Sequence, residues 1–468
     1  MSIRITNSLT RQKEDFTPLN GKTVKMYSCG VTVYDKCHIG HGRSLYIFDV
    51  IRQYFKYRGY DIFFVRNITD VDDKIINRAH ELKKSFQEVI DQNIQAYYRD
   101  LDDLGIARAD REPRATENIG EMVAHIKGLI DKGFAYEAGG DVYFNVRKFS
   151  DYGKLSGQST DKMHEAVRIE QTDKKKDPLD FALWKASKPG EPSWTSPWGP
   201  GRPGWHIECS VMSMKFLGSA TFDIHAGGRD LIFPHHENEI AQSEGLTGKP
   251  FVRFWIHHGL LTINGQKMAK SLGNFITVQD ALKKYSADQL KIFFLSSHYA
   301  SPIDFTDGKL EDAHKALMHF EVFFQRVERL IKNKQPSGSA KGFVRDYQNQ
   351  FEEAMDDDFN SAKAMGVLFE LLSEMNKFMD TQVHNPDYEV TVIAARDLIK
   401  KLTGDIFGLF KVNESLDVNV GDIENLLKER ERARLSRDFK RSDEIRDELK
   451  SKGILLEDTK EGQVWRRA

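Results

Sequence analysis

Cysteine is scarce. The 468-residue chain has three, Cys29, Cys37 and Cys209. So small and odd a number argues against a disulfide framework and leaves metal binding, catalysis or plain burial. No apolar run reaches the length that spans a bilayer. The opening MSIRITNSLTRQKEDF lacks the apolar stretch of a secretory signal. The expected setting is therefore the cytoplasm, away from membranes. Charge of neither sign prevails, and the net value is −2 at pH 7. Any contact with nucleic acid would depend on local patches. No repeat of fixed period is present, so a solenoid is not expected. What is present is 40% hydrophobic and 29% charged residues, a balance that suits a chain burying large cores. At this length several domains are expected.

The pattern from Val24 to Val65 reads as strand, helix, strand. Val24 to Tyr27 is a short strand, and a glycine-containing loop follows through Cys29, Gly30 and Gly40. Leu45, Phe48, Ile51 and Phe55 recur at helical spacing, Gly59 follows the helix, and Ile62 to Val65 reads as a buried strand. Such a unit seeds a parallel sheet. Residues 75–130 read as largely helical. Phe134 to Val146 reads as a hairpin turning at Gly139-Gly140, and the Pro/Gly/Trp-rich stretch Pro189 to Gly204 reads as loops. Sheet character returns at Phe222 to Ile224, a helix is expected from Pro234, and another near Val278 to Tyr285. From about Leu310 the chain turns helical. Ala313, Ala316, Leu317, Phe320, Phe323, Phe324, Val327, Leu330 and Ile331 form one apolar stripe. Gln335 to Gly342 reads as a linker, helices are expected near 344–356 and 361–380, and a last small unit spans roughly 421–468.

Two short motifs point to phosphate chemistry. His38-Ile39-Gly40-His41 lies between the first strand and the first helix, where open α/β sheets bind ligands. Free N–H groups at a helix start attract phosphate, and two imidazoles there can donate to a polyphosphate. Read alone, the segment is equally a surface loop holding two histidines. Lys267-Met268-Ala269-Lys270-Ser271 carries two lysines that can clamp a leaving pyrophosphate, or simply a solvated charge pair. The pair, in this order, resembles the HIGH and KMSKS signatures of class I aminoacyl-tRNA synthetases. Ala269 stands where that pattern has serine, so both lysines remain while one loop hydroxyl is lost.

Cys29, Cys209, His235 and Glu239 make a plausible Zn²⁺ ligand set, with His235 and Glu239 four apart on one helical face. His236 is a rival to His235, and Cys37 has no partner at useful spacing. The bland readings are buried thiols and a helix ion pair. A zinc protease would need H-E-x-x-H, and the second histidine is missing after His236-Glu237.

Over nearly its whole length the chain resembles the cysteinyl-tRNA synthetase family. The resemblance rests on Tyr27 to Tyr34, Cys37 to Gly42, Arg66 to Lys74, Gly204 to Cys209 and Phe233 to Glu239. It implies an α/β fold: a Rossmann-like catalytic domain at 1–130 and 205–309, a connective insertion at 131–204, a helical bundle at 310–410, and a small anticodon-binding-type domain at 411–468. It also implies zinc held by Cys29, Cys209, His235 and Glu239, one ion per chain. Thr69, Trp205 and His225 would shape the amino-acid pocket. Gly228 and Asp230 would lie on the adenosine side, with Gly40, His38, His41 and Lys270 also contacting ATP. The implied chemistry joins L-cysteine to ATP as an adenylate, with Mg²⁺ accompanying the nucleotide. The cysteinyl group then passes to the 3′ end of tRNA(Cys). His38, His41, Lys267 and Lys270 would stabilise the charge that develops. A monomer is the family expectation.

Between Lys428 and Arg441, seven basic residues stand against three acidic ones, with Phe439 among them. Arg432, Arg434, Arg437 and Phe439 are candidate tRNA contacts, since basic groups neutralise phosphate and an aromatic can stack a base. A solvated amphipathic helix is the plain alternative. Two rival functions remain at this stage. One is a ligase joining activated cysteine to a small amine, which the long helical C-terminal region disfavours. The other is a non-catalytic RNA-binding paralogue, disfavoured by the intact His38, His41, Lys267 and Lys270.

Overall fold

A computed structural model describes residues 2–158, 174–331, 339–410, 420–436, 438–451, 454–459 and 462–467. They form two compact units, 1–409 and 410–468.

The expected strand-helix-strand seed is present. Strands Thr23–Ser28 and Asp61–Arg66 pair in parallel, joined by the helix Ile39–Tyr57. Leu45, Phe48, Ile51 and Phe55 are all buried along one side of that helix. Gly59 ends the connection at φ +80°, a value that disfavours any side chain. Phe222–Gly228 and Val252–His258 extend the sheet, in the order 252–258, 222–228, 23–28, 61–66, with every pair parallel. Parallel sheets are covered on both faces, and all seven residues of Phe222–Gly228 are accordingly buried. The core there includes Tyr27, Val65, Phe222, Trp184 and Trp255.

Residues 131–204 build a separate antiparallel sheet of Ala135–Ala138, Asp141–Phe144, Phe181–Ala186 and Gly201–Pro203. Its hairpin turns at Gly139 and Gly140, both at positive φ, as a tight two-residue turn requires. The sheet is tied to the start of the helix Asp73–Leu82 by Asp73, which takes both Lys185 and Arg202.

The helix expected from Pro234 begins later, at Glu237–Thr247. Before it, Ile232–His236 forms one wide turn in which Phe233 is extended, the conformation favoured before proline. Similarly, the helix expected to reach Tyr285 ends at Leu282. The apolar stripe lies on Asp307–Ile331, where Ala313, Leu317, Phe320, Phe323 and Val327 are buried. Ala316, Phe324, Leu330 and Ile331 are half-buried at its margin. Gly342–Asp356, Ser361–Thr381 and Tyr388–Lys401 complete the helical bundle. The linker expected at Gln335 to Gly342 lies partly outside the described residues.

One buried arginine connects the first helix to the far end of the sheet. Arg43 donates to the carbonyls of Gly259 (2.7 Å), Leu260 (3.2 Å), Tyr299 (3.3 Å) and Ser301 (2.7 Å). Gly259 has no room for a Cβ, which would lie 2.2 Å from the Ser301 carbonyl oxygen.

The second unit holds helices Val420–Leu435 and Phe439–Ser451 and the hairpin Ile454–Thr459 with Gly462–Arg467. Ile445, Leu449 and Leu456 form its small core.

Candidate active site

The first motif stands at the carboxyl edge of the parallel sheet, at the start of the Ile39–Tyr57 helix. His38 is extended and caps the helix. Its Nδ1 accepts from the His41 amide at 3.2 Å, and His41 Nδ1 faces the His38 amide at 3.4 Å. The rings stack with centroids 3.6 Å apart. Each neutral ring that accepts at Nδ1 carries its proton on Nε2. Burial pushes the His38 imidazole down to about 4 and takes His41 well below the ordinary value. Both are therefore neutral donors at pH 7. Gly40 keeps the approach open, since a Cβ there would meet the His38 ring at 3.0 Å and Met268 Cε at 3.8 Å.

His38, Gly40, His41, Gly228, Asp230, Lys267 and Trp205 share one cleft of about 420 Å³, together with Cys29, Tyr34, Lys74 and His258. Lys270 pairs with Asp35, and its ammonium sits 5.2 Å from the Phe275 ring centroid. Asp35 also faces Arg78 at 3.5 Å. Burial would raise the Asp35 carboxyl, yet the bond from Lys270 holds it below the usual range. The loop at Ala269 is stapled by Asn274, whose Oδ1 accepts the Ala269 amide at 2.8 Å. Its Nδ2 donates to the Lys267 carbonyl at 3.2 Å. A side-chain amide thus braces the loop whose motif position lacks a hydroxyl.

Behind the cleft the four proposed metal ligands converge, with one donor atom from each of Cys29, Cys209, His235 and Glu239 within 4.8 Å of all the others. The two sulfurs are 3.7 Å apart, Cys29 Sγ is 3.6 Å from Glu239 Oε1, and His235 Nε2 is 3.1 Å from the same oxygen. Cys29, His225, His236 and Glu239 meet the same criterion. His236 Nε2 lies 3.3 Å from Cys29 Sγ, and His225 Nε2 lies 2.8 Å from Glu239 Oε2. The outer nitrogens are also held: His235 Nδ1 by His206 at 2.9 Å, His236 Nδ1 by His257 at 2.8 Å. Burial alone would raise the Glu239 carboxyl, but the imidazoles of His225 and His235 bring it to about 2. Tyr27 Oη, Glu208 Oε1 and His225 Nδ1 are buried there without hydrogen-bond partners. Two sulfurs, an imidazole and a carboxylate in a buried, under-satisfied nest fit the donor chemistry of Zn²⁺.

The three pocket candidates are placed differently from one another. Trp205 lines the cleft, 37% exposed, and stacks on His235 at 4.1 Å. Thr69 and His225 are buried: Thr69 Oγ1 donates to Glu208 Oε2 at 2.9 Å, and His225 stacks on Trp255. Asp35, Asn67, Glu208, Asn274 and His258 escaped sequence reasoning. Asn67 and Glu208 lie inside segments already singled out there and Asp35 lies between two of them, but their partners are not marked by any local period. In the second unit Arg432, Arg434 and Phe439 are exposed, Phe439 by 63%. Arg437 lies outside the described residues.

Residues 15–315 match the model of the tRNA synthetases class I (C) catalytic domain, 350–411 the DALR domain, and 420–466 the cysteinyl-tRNA ligase anticodon binding domain. The cysteine–tRNA ligase of Thermodesulfovibrio yellowstonii is 49% identical over 486 positions, covering 99% of each chain. That of Geobacter metallireducens is 48% identical with 100% of each covered. Among solved structures, Mycobacterium tuberculosis methionyl-tRNA synthetase in complex with methionyl-adenylate superposes with a TM-score of 0.67 at 14% identity, covering 84% of this chain and 94% of that one. A putative arginyl-tRNA synthetase from Campylobacter jejuni gives 0.58 at 14% identity, covering 82% and 92%. At that identity the likeness concerns the fold. Parallel sheet, histidine-capped helix and lysine loop define a class I aminoacyl-tRNA synthetase. Within that class the chain belongs to the cysteinyl-tRNA synthetase family.

Proposed function

We propose that this chain activates L-cysteine with ATP and transfers it to the 3′ end of tRNA(Cys). The observation that carries the reading is the meeting of two cysteines, a histidine and a glutamate beside a cleft lined by His38, His41 and Lys267. The cysteine carboxylate attacks the α-phosphate, a bond forms from carboxylate oxygen to phosphorus, and pyrophosphate leaves. The terminal ribose hydroxyl then attacks the acyl carbon and AMP leaves. No protein nucleophile is needed, so catalysis is positioning and charge stabilisation. His38 and His41 donate to phosphate oxygens as neutral rings. Lys267 and Lys270 balance the charge of the departing pyrophosphate, for which Lys270 must exchange Asp35 for phosphate. Gly228 and Asp230 serve the adenosine, and Mg²⁺ accompanies ATP. Thr69, Trp205 and His225 shape the amino-acid pocket.

Cys29, Cys209, His235 and Glu239 are the proposed zinc ligands. When bound, the ion would take the substrate sulfur as thiolate and so separate cysteine from serine, a distinction that pocket size makes poorly. Trp205, packed on His235, closes one side of the approach. The same reading places the protein in the cytoplasm as a monomer. Among the described residues no helix is long and apolar enough to cross a membrane.

The deciding experiment is cysteine-dependent ATP–pyrophosphate exchange followed by charging of tRNA(Cys). Both activities are expected. Exchange without charging would instead support a ligase for a small amine, and neither would support a binding protein. Metal-free protein, shown folded by circular dichroism, should lose its preference for cysteine over serine; full preference without metal overturns the role of zinc.

A further inference from the structure

The segment Asn67 to Thr69 touches both metal-site cysteines' neighbourhoods and is assigned to neither. It follows the Asp61–Arg66 strand and runs beside the loop that carries Cys29. Thr69 N donates to the Val31 carbonyl and Val33 N to the Thr69 carbonyl, each at 3.1 Å. Asn67 itself is 1% exposed. Its Oδ1 accepts the Gly30 amide at 2.8 Å and lies 3.7 Å from Cys209 Sγ. Because a backbone N–H can only donate, the carboxamide oxygen must face Gly30, and its nitrogen must point the other way. That nitrogen donates to Thr69 Oγ1 at 3.1 Å, and the Thr69 hydroxyl in turn donates to Glu208, the residue before Cys209. The two backbones also approach closely here, since a Cβ on Gly30 would lie 1.6 Å from the Asn67 backbone carbonyl oxygen.

We infer that Asn67 is a positioning residue for the metal centre, one carboxamide that sets the Cys29–Gly30 turn and the Glu208–Cys209 turn at a fixed separation. The inference rests on the zinc reading above. Two sulfurs from segments 180 residues apart must be held close before an ion binds, although the negative form of each opposes the other. Backbone pairing cannot do this alone, because Cys209 lies on a helix and Cys29 on a loop. Asn67 bridges the two through Gly30 on one side and through Thr69 and Glu208 on the other. The same bridge passes through Thr69, so the placement of the metal and the shape of the amino-acid pocket are coupled.

The test uses the full-length protein, with Zn²⁺ affinity measured against a chromophoric chelator and Co²⁺ substitution read by thiolate-to-cobalt charge-transfer absorption. Asn67→Ala removes both arms of the bridge. Asn67→Asp keeps the shape and the acceptor for Gly30, removes the donor to Thr69, and brings an anion near Cys209. Each is expected to weaken Zn²⁺ binding by about ten- to a hundredfold, the usual effect of losing an outer partner of a metal site. Each should also lower the charge-transfer absorption per cobalt and raise KM for cysteine more than KM for ATP. Should Asn67→Ala not fold, Asn67→Asp carries the comparison alone. Folded variants that bind Zn²⁺ within twofold of the unsubstituted chain, with the same cobalt spectrum, overturn the inference while leaving the zinc reading intact. An unsubstituted chain that takes up neither metal removes both.

Discussion

At the scale of single residues, the choice between His235 and His236 turns on what each ring nitrogen faces. Both present Nε2 inward and both have Nδ1 occupied by another histidine. Their companions differ. His235 belongs with both sulfurs and Glu239, whereas His236 belongs with one sulfur, His225 and Glu239. Zinc prefers the set with two thiolates. His225 is moreover already engaged with Glu239 Oε2, an arrangement that orients the carboxylate for a ligand role. The expected outcome is that His235→Ala is purified with well under one zinc per chain, while His236→Ala keeps close to one. Elemental analysis of both proteins after identical dialysis decides it, and the reverse result would transfer the ligand role to His236.

At the scale of elements, the helix Ile119–Asp131 carries a buried titratable group remote from the phosphate chemistry. His125 lies on its inner face and hydrogen-bonds the Gln242 carbonyl at 3.2 Å, which binds this helix to Glu237–Thr247. Burial brings the His125 imidazole from 6.5 down to about 4. Between those values the unfolded chain takes up the proton and the folded chain does not. Stability contributed by the neutral ring is therefore complete above about pH 6.5 and falls as pH drops toward 4. The full loss is on the order of 3 kcal/mol, from about 1.4 kcal/mol per pH unit. His125→Gln can keep a donor for Gln242 without titrating. Thermal midpoints measured from pH 4 to 7 should fall less steeply toward acid in the variant; parallel curves would refute the assignment.

The same helix illustrates what local pattern reveals. Its helical character was readable, as were the first strand, the Gly139-Gly140 hairpin and the stripe on Asp307–Ile331, because each depends on residues near one another in sequence. The order of the parallel strands was not, since Thr23–Ser28 pairs with Phe222–Gly228 across almost two hundred residues. The late start of Glu237–Thr247 was also hidden: Pro234 is a favourable first-turn residue, but Phe233 before it is extended, and the chain makes a wide turn first. At the site, motif spacing singled out His38 and His41 as candidates and Cys29, Cys209, His235 and Glu239 as a plausible ligand set, with His236 a rival, and the structure brings those four donors together. Spacing could not identify Asn67, Asp35 or Glu208, whose roles exist only through partners such as Gly30, Lys270 and Thr69.

At the scale of the whole molecule, a chain with net charge −2 has to bind a polyanion. General attraction cannot supply this, so the contact must come from regions where basic groups are concentrated at the surface. The second unit offers one such region. Arg441 there pairs across the two helices with Glu429 at 2.8 Å and within its own helix with Glu444 at 3.3 Å. Arg432 and Arg434 are exposed on the first helix, and Phe439, exposed at the start of the second, offers a ring to an unpaired base. If these groups contact tRNA, their loss should weaken the second step and leave the first alone, because the cleft proposed for cysteine and ATP belongs to the other unit. Changing Arg432, Arg434 and Arg437 together to glutamine should raise KM for tRNA(Cys) at least tenfold with cysteine-dependent pyrophosphate exchange unchanged. Each lost phosphate contact also removes one set of released counterions. The slope of log affinity against log salt should therefore become shallower by about 2 to 3 for the triple variant, at roughly 0.7 to 0.9 per contact. That slope separates direct contact from indirect damage to the unit, which would lower affinity without changing the number of ions released. A triple variant with unaltered tRNA affinity and an unaltered salt slope would assign this basic run to a solvated helix surface.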